Sequence, residues 1–296
     1  MRKESPQTNH PQIPFLPSLL DLNFNFTLNN DTTTTLLILA IPPLLFFSHI
    51  IRKDYAAFIS LGPGGVPQSL KGYIGFCCLR PFALRNPFEP PRLPPTLHPQ
   101  NGFLAPDTLP TRKGPRPVVE GIAPQRQITQ RGDDTTYKIL SRELSTLVQT
   151  HAHTHGLYTD TSCFEKHSIG IFVAEKLRSR VTCNGEVCHA HPSDGSLHLS
   201  LHPADVKVVL ANGWGQRHPI AREKSWWWQV LRTGRRKLPP GFVMMYAPRD
   251  EKELRVVVEI VRAAVCWVSG RELRWERECV MEDKEMASVG SKDPIA

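Results

Sequence analysis

The sequence predicts an α+β domain: an antiparallel sheet with flanking helices, preceded by an N-terminal transmembrane helix and a proline-rich linker. Three observations carry that prediction. Short β-type runs between residues 162 and 248 are separated by tight-turn signals, which favours antiparallel pairing. A capped helix with one apolar stripe closes the region at 250–270. A single long apolar run, Leu36 to Ile51, stands apart near the N-terminus.

Composition narrows the classes. The chain has 296 residues, 40% of them apolar, and Lys plus Arg exceeds Asp plus Glu by 36 − 28 = +8. The apolar runs after residue 134 exclude a fully disordered chain, and one apolar run excludes a polytopic membrane protein. Seven scattered cysteines, an odd number, do not form the pattern of a secreted disulfide framework. The positive excess suits nucleic acid or an anionic membrane surface, so its location has to decide.

Residues 1–35 are polar and read as irregular. The run 36–51 reads as a membrane anchor. Sixteen residues at roughly 1.5 Å each reach about 24 Å, and borrowing Thr32 to Thr35 brings the span close to the roughly 30 Å hydrocarbon core. Pro42 and Pro43 would kink such a helix, which bilayers tolerate. A cleavable signal fits less well, because a polar leader precedes the run and no small-residue cleavage site follows it. Arg52, Lys53 and Lys71 lie on the C-terminal side and no Lys or Arg lies within 20 residues on the other. The charge bias makes the chain a single-pass membrane protein with its C-terminal domain in the cytoplasm. Sequons at Asn25 and Asn30 agree with a lumenal N-terminus.

Residues 52–126 read as juxtamembrane and linker sequence, since the twelve prolines from Pro81 to Pro124 forbid continuous helix or central strand. The folded domain is placed at 127–270 and a loose charged tail at 271–296. Within the domain, Asp134 opens a helix through Leu147. Strands are expected at Ser162–Glu165 and Ser168–Val173, and a hairpin at Val181–Val187 turning on Asn184-Gly185. A second hairpin closes at Pro192-Ser193-Asp194-Gly195. Ala204–Ala211 is a short helix after Pro203, Gly241–Pro248 a strand, and Asp250 with Glu253 a capping box for the last helix, stopped by Gly270.

The second hairpin holds the chemistry. Its four-residue loop sets His191 opposite Ser196, and therefore His189 opposite His198. Side chains alternate faces along a strand, so Cys188, Ala190, Leu197, Leu199 and Leu201 share an apolar face while His189, His191, His198, Ser196 and Ser200 share the other. Directly opposed β-carbons lie about 4.5–5.5 Å apart, close enough for two imidazoles to share a proton, a ligand or a metal. Three histidines with open positions would suit zinc or iron, although a solvated polar face gives the same pattern. Asp194 at the turn either fixes an imidazole tautomer or serves the turn. Downstream, Gly213-Trp214-Gly215-Gln216-Arg217-His218-Pro219 sets a fixed cation beside a titratable ring, and Tyr246-Ala247-Pro248-Arg249 leads into the acidic helix start.

Taken in order, these runs resemble the fungal luciferase and luciferase-like domain family. The resemblance is carried by Gly213 to Pro219, by Tyr246 to Arg249 and by the His189-x-His191 hairpin with Leu197-His198-Leu199. It extends to Ile50 to Tyr55, Leu70 to Tyr73, Arg116-Pro117 and Gln125-Arg126-Gln127. It implies a membrane anchor and, for luminous members, oxygenation of a hydroxylated pyrone of the hispidin type. Molecular oxygen is then the co-substrate and no organic cofactor or metal is required. Under this reading the chain is an oxidoreductase acting on a hydrophobic, enolisable aromatic or pyrone-type metabolite. His189, His191, His198 and His218 supply the general base, Arg217 and Arg249 hold the resulting anion, and Trp214, Tyr246 and Asp194 line the substrate. A non-catalytic module binding a ligand or metal through the same face is the alternative.

One segment departs from the luminous pattern. Arg222 to Lys237 carries six basic residues against one acidic, and contains Trp226-Trp227-Trp228. Beside an anchor, that combination reads most simply as docking on the anionic leaflet, with packing of the tryptophans into the core as the alternative, and no nucleic acid partner is expected.

Overall fold

The structure is a computed structural model that describes residues 30–105, 109–180, 182–222 and 238–273. The chain divides into two compact units, residues 1–52 and 53–296. In the first, the described residues are the opening turns of helix α1, Asn30–Ser60. Its apolar side chains from Leu36 to Phe47 are exposed, and Pro42 and Pro43 lie inside the helix. The helix starts six residues before the apolar run and continues through Arg52, Lys53 and Asp54 to Ser60, further than that run predicts. It is long and apolar enough to cross a membrane, a test that a signal sequence also passes.

The second unit is α+β, as the sequence predicts. Six strands form one antiparallel sheet: β3 Leu157–Thr161, β4 Ile169–Val173, β5 Glu186–Ala190, β6 Leu197–Ser200, β7 Gly215–Arg217 and β8 Phe242–Met245, in the order β3-β4-β5-β6-β8-β7. The helices are α2 (Leu70–Leu79), α3 (Asp134–His155), α4 (Pro203–Ala211) and α5 (Glu251–Ser269). Helix α2 precedes the proline-rich stretch, and a separate two-stranded ribbon, β1 Val119–Gly121 with β2 Gln125–Gln127, lies at its end.

The apolar face of the sheet is sealed by α5 and α3. Val257, Ile260, Val261, Ala264, Val265 and Val268 of α5 are fully buried against Cys188, Leu197, Leu199 and Val243 of the strands. Each buried valine or isoleucine contributes roughly 1.5–3 kcal/mol, so this stripe is a main anchor of the fold. Asp250 caps α5 by accepting from the Glu253 N–H, and Gly270 ends it in the left-handed region at φ +68°. The Glu253 carboxylate returns to the Arg249 N–H (3.0 Å), one residue earlier than a capping box requires.

Four local expectations change. Ser162–Glu165 is a turn, because the Ser162 hydroxyl accepts from the N–H groups of Phe164 and Glu165; the strand lies just before it, at β3. Asn184-Gly185 is a tight turn with φ of +52° and +82°, and the strand beyond it, β5, takes β4 as its ladder partner. Helix α3 runs eight residues past Leu147 to the left-handed Gly156. Gly215–Arg217, assigned no element from the sequence, is edge strand β7.

Opposite the helices, the sheet's polar face is covered by the segment preceding residue 128. Phe58, Tyr73, Phe76, Leu79 and Ile122 form a second small core there. Asp54 ties it, accepting from the Tyr73 hydroxyl (2.7 Å) and pairing with Arg80 (2.7 Å).

Candidate active site

The β5–β6 hairpin has the register its loop length demands. His189 pairs with His198 and Ala190 with Leu197, and the His191 N–H donates to the Ser196 carbonyl at 2.8 Å. Cys188, Leu197 and Leu199 point into the helical core, so His189, His191 and His198 point to the other side, and all three are buried. The ring centroids of His191 and His198 are 4.6 Å apart, and those of His189 and His198 are 5.2 Å apart. Phe242 of β8 stacks on His198 at 5.2 Å. His218, just beyond β7, adds a fourth ring at 5.2 Å from His198.

Each hairpin imidazole is held from behind. His189 Nδ1 lies 2.7 Å from Glu186 Oε1, His198 Nε2 lies 2.9 Å from Gln125 Oε1, and His191 Nδ1 lies 2.8 Å from Ser196 Oγ. Ser196 in turn donates to Asp194 Oδ1 (2.6 Å), whose other oxygen accepts from the Gln127 N–H (2.8 Å). Asp194 thus serves both the turn and His191, through one hydroxyl. Burial lowers the basicity of His191 and His198, the latter helped by the neighbouring imidazoles; it takes His218 down to about 3. These three rings are therefore neutral near pH 7.

His189, His198 and His218 open onto a cavity of about 460 Å³. Its apolar walls are Leu79, Ile122, Phe164, Ile220 and Phe242, and Glu165 and Lys166 stand on its lining. That size and mixture suit one small, largely apolar ligand with a few oriented polar groups. A larger groove of about 880 Å³, between Gly102–Ala105, α4 and α5, presents no imidazole among its lining residues, and we place the chemistry at the smaller cavity.

Several residues expected at the site sit elsewhere. Arg217 pairs with Val243 in the β7–β8 register, and alternation turns it away from His198 and Met244; its guanidinium donates to the carbonyls of Ala221 (2.6 Å) and Glu89 (3.1 Å). Trp214 belongs to the main core, its indole N–H on the Pro110 carbonyl at 2.6 Å. Tyr246 lies beyond the far end of β8 from Phe242, its hydroxyl on Gln216 at 3.1 Å. Arg249 pairs with Glu253 and donates to the Lys113 carbonyl, a structural clasp at the start of α5. Asp194 and His191 stand behind the cavity wall rather than on it. Trp226 to Trp228 and most of the basic loop lie outside the described residues.

Glu186 and Gln125 are site residues with little local signal in the sequence. Glu186 precedes His189 by three, which strict alternation assigns to the opposite face. A bulge resets it: Ile171 pairs with Cys188 and Phe172 with Glu186, skipping Val187. Gln125 comes from the ribbon, 73 residues from His198. Its only signal was membership of the Gln125-Arg126-Gln127 run. Arg126, between them, pairs with Glu165 and donates to the Gln125 carbonyl at 2.9 Å.

Comparison with known proteins points to one family. The Luciferase domain family matches residues 184–264, which contain the hairpin, β7, β8 and most of α5. The luciferase of Neonothopanus nambi is 34% identical, over 74% of this chain and 82% of its own. Those of Armillaria ostoyae and Armillaria mellea are 33% and 32% identical, over 74% and 78% of this chain and 82% and 85% of theirs. No solved structure matches. The chain belongs to the fungal luciferase family.

Proposed function

We propose that this protein is a membrane-anchored oxidoreductase that adds molecular oxygen to a hydrophobic, enolisable ring of the hydroxypyrone or phenol class. The observation that carries it is the wall of buried imidazoles, His189, His198 and His218, opening into an otherwise apolar cavity of about 460 Å³. A flat ring fits against Phe242 and Ile122 with its acidic oxygen toward His189 and His198. The enol proton passes to an imidazole of that wall, and the anion stays paired with the imidazolium so formed. The electron-rich anion then passes one electron to O2, and recombination of the radical pair forms a carbon–oxygen bond and a peroxide. In a pyrone, closure of that peroxide and loss of carbon dioxide complete the sequence. Light emission is no part of the proposal.

The apolar stretch of α1 supports a single membrane pass that keeps a poorly water-soluble substrate close. The basic residues that follow it support a catalytic domain on the cytoplasmic side. The test is oxygen uptake by the full chain in detergent or vesicles, given a 3-hydroxypyrone bearing an aryl-vinyl arm. Oxygen loss matched by carbon dioxide release is expected. Tight binding of the pyrone with no oxygen uptake would make the cavity a carrier site and end the oxygenase reading.

A further inference from the structure

Each hairpin histidine uses one ring nitrogen on a partner behind it, and those partners fix where the protons are. Ser196 gives its own hydrogen to Asp194, so its oxygen can only accept, from the Nδ1–H of His191. The Glu186 carboxylate accepts from the Nδ1–H of His189, and the Gln125 carbonyl oxygen from the Nε2–H of His198. The remaining nitrogens, Nε2 of His189, Nδ1 of His198 and Nε2 of His191, therefore carry lone pairs. The first two are 3.3 Å apart, and His191 Nε2 is buried with no hydrogen-bond partner among the described residues. One nitrogen from each ring falls within 4.8 Å of the others. Gathered acceptors without a donor are costly, about 1–3 kcal/mol for each unmet group.

We propose that His189, His191 and His198 bind one divalent transition-metal cation, zinc or iron(II), with a coordination position open to the cavity. A proton could bridge the pair at 3.3 Å but would leave His191 unmet, whereas a cation takes all three lone pairs. Nitrogen donors about 2.0–2.1 Å from a tetrahedral ion lie about 3.4 Å apart, so His189 and His198 already have the spacing of a chelate. Three imidazole nitrogens select zinc, iron or cobalt over calcium or magnesium, which take oxygen ligands. The outward hydrogen bonds to Glu186, Gln125 and Ser196 are the supports that metal-bound histidines use to hold their rings. His218 is not a ligand, since its Nδ1 accepts from the Ile220 N–H. His189 and His198 line the cavity and His191 does not, which seats the ion in the rear wall. Metal binding stands on this cluster alone; its use, to hold the substrate's oxygen anion, rests on the function proposed above.

The experiment is cobalt(II) titration of chelator-treated full-length protein in detergent, followed by visible absorption, with X-ray absorption of the zinc-loaded form. One tightly bound ion per chain is expected, with the visible bands of a low-coordinate site and three imidazole nitrogens in the zinc spectrum. His191→Ala should abolish that binding, although His191 does not touch the cavity, while the exposed-site variant His153→Ala retains it. Glu186→Ala should weaken binding by about 10- to 100-fold. No stoichiometric ion in wild type, fewer than two imidazoles in the zinc spectrum, or unchanged binding in folded His191→Ala would each overturn the site. Full oxygen uptake by metal-free protein would overturn its use and leave the oxygenase reading intact. A bound ion without oxygen uptake would leave the metal site standing and end the oxygenase reading together with the ion's use in it.

Discussion

His189 and His198 occupy directly opposed positions on neighbouring strands, and Nε2 of one faces Nδ1 of the other across 3.3 Å. Either ring removed leaves its neighbour's nitrogen facing empty space at the cavity wall. His198→Ala and His189→Ala should each lower the rate of oxygen uptake by about 10²–10⁴-fold. Circular dichroism should stay native, because the helical core lies on the other side of these strands. Wild-type rates in either variant would detach the hairpin from the reaction.

Arg126 and Glu165 are both nearly buried and pair across the cavity's rim, joining the β1–β2 ribbon to the turn after β3. Loss of one partner strands a charge, so Glu165→Ala should destabilise the domain by about 3–5 kcal/mol in a denaturant titration. Replacing both with methionine should cost much less than that. If the single and double changes cost the same, the ion pair does not couple the two segments.

Asp205, near the start of α4, is raised by burial from 3.8 to about 6, against the opposing N–H groups of Phe103 and Leu104. The folded form therefore holds this proton more tightly than the unfolded chain. Its contribution to stability is fully present below about pH 3.8 and is lost as pH rises to about 6. The gap corresponds to at most about 3 kcal/mol. Asp205→Asn should flatten the stability profile between pH 4 and pH 6, measured by thermal melting at each pH. A variant profile that falls as steeply as wild type would assign the effect to other groups.

The apolar stretch of α1 exposes Leu39 and Leu45 among its neighbours. Arginine at both positions should add about 2.5–3.5 kcal/mol each to the cost of insertion. The doubly substituted chain should move from the pellet to the supernatant after alkaline carbonate extraction. Wild-type protein extracted by carbonate would place the helix outside the bilayer.

The sequence revealed those parts of the fold whose signals are local. Asp250 and Gly270 marked the ends of α5, and Pro192 to Gly195 fixed the register that pairs His189 with His198. The contributions it hid are set by distant pairing. Glu186 reaches His189 only through a bulge opposite Ile171 and Phe172. Gln125 reaches His198 from a stretch whose prolines suggested linker alone. Arg217, Trp214, Tyr246 and Arg249 stood out as chemically able residues. Their partners, Ala221, Pro110, Gln216 and Glu253, employ them in the framework instead.

β5 and β6 occupy the middle of the six-stranded sheet, with paired neighbours on both sides. Their amide hydrogens should therefore be among the slowest in the molecule to exchange with deuterated water, released only when the whole domain opens. Heat inactivation and global melting would then coincide, so that any substitution strengthening α5 against these strands prolongs the working life of the reactive face as well.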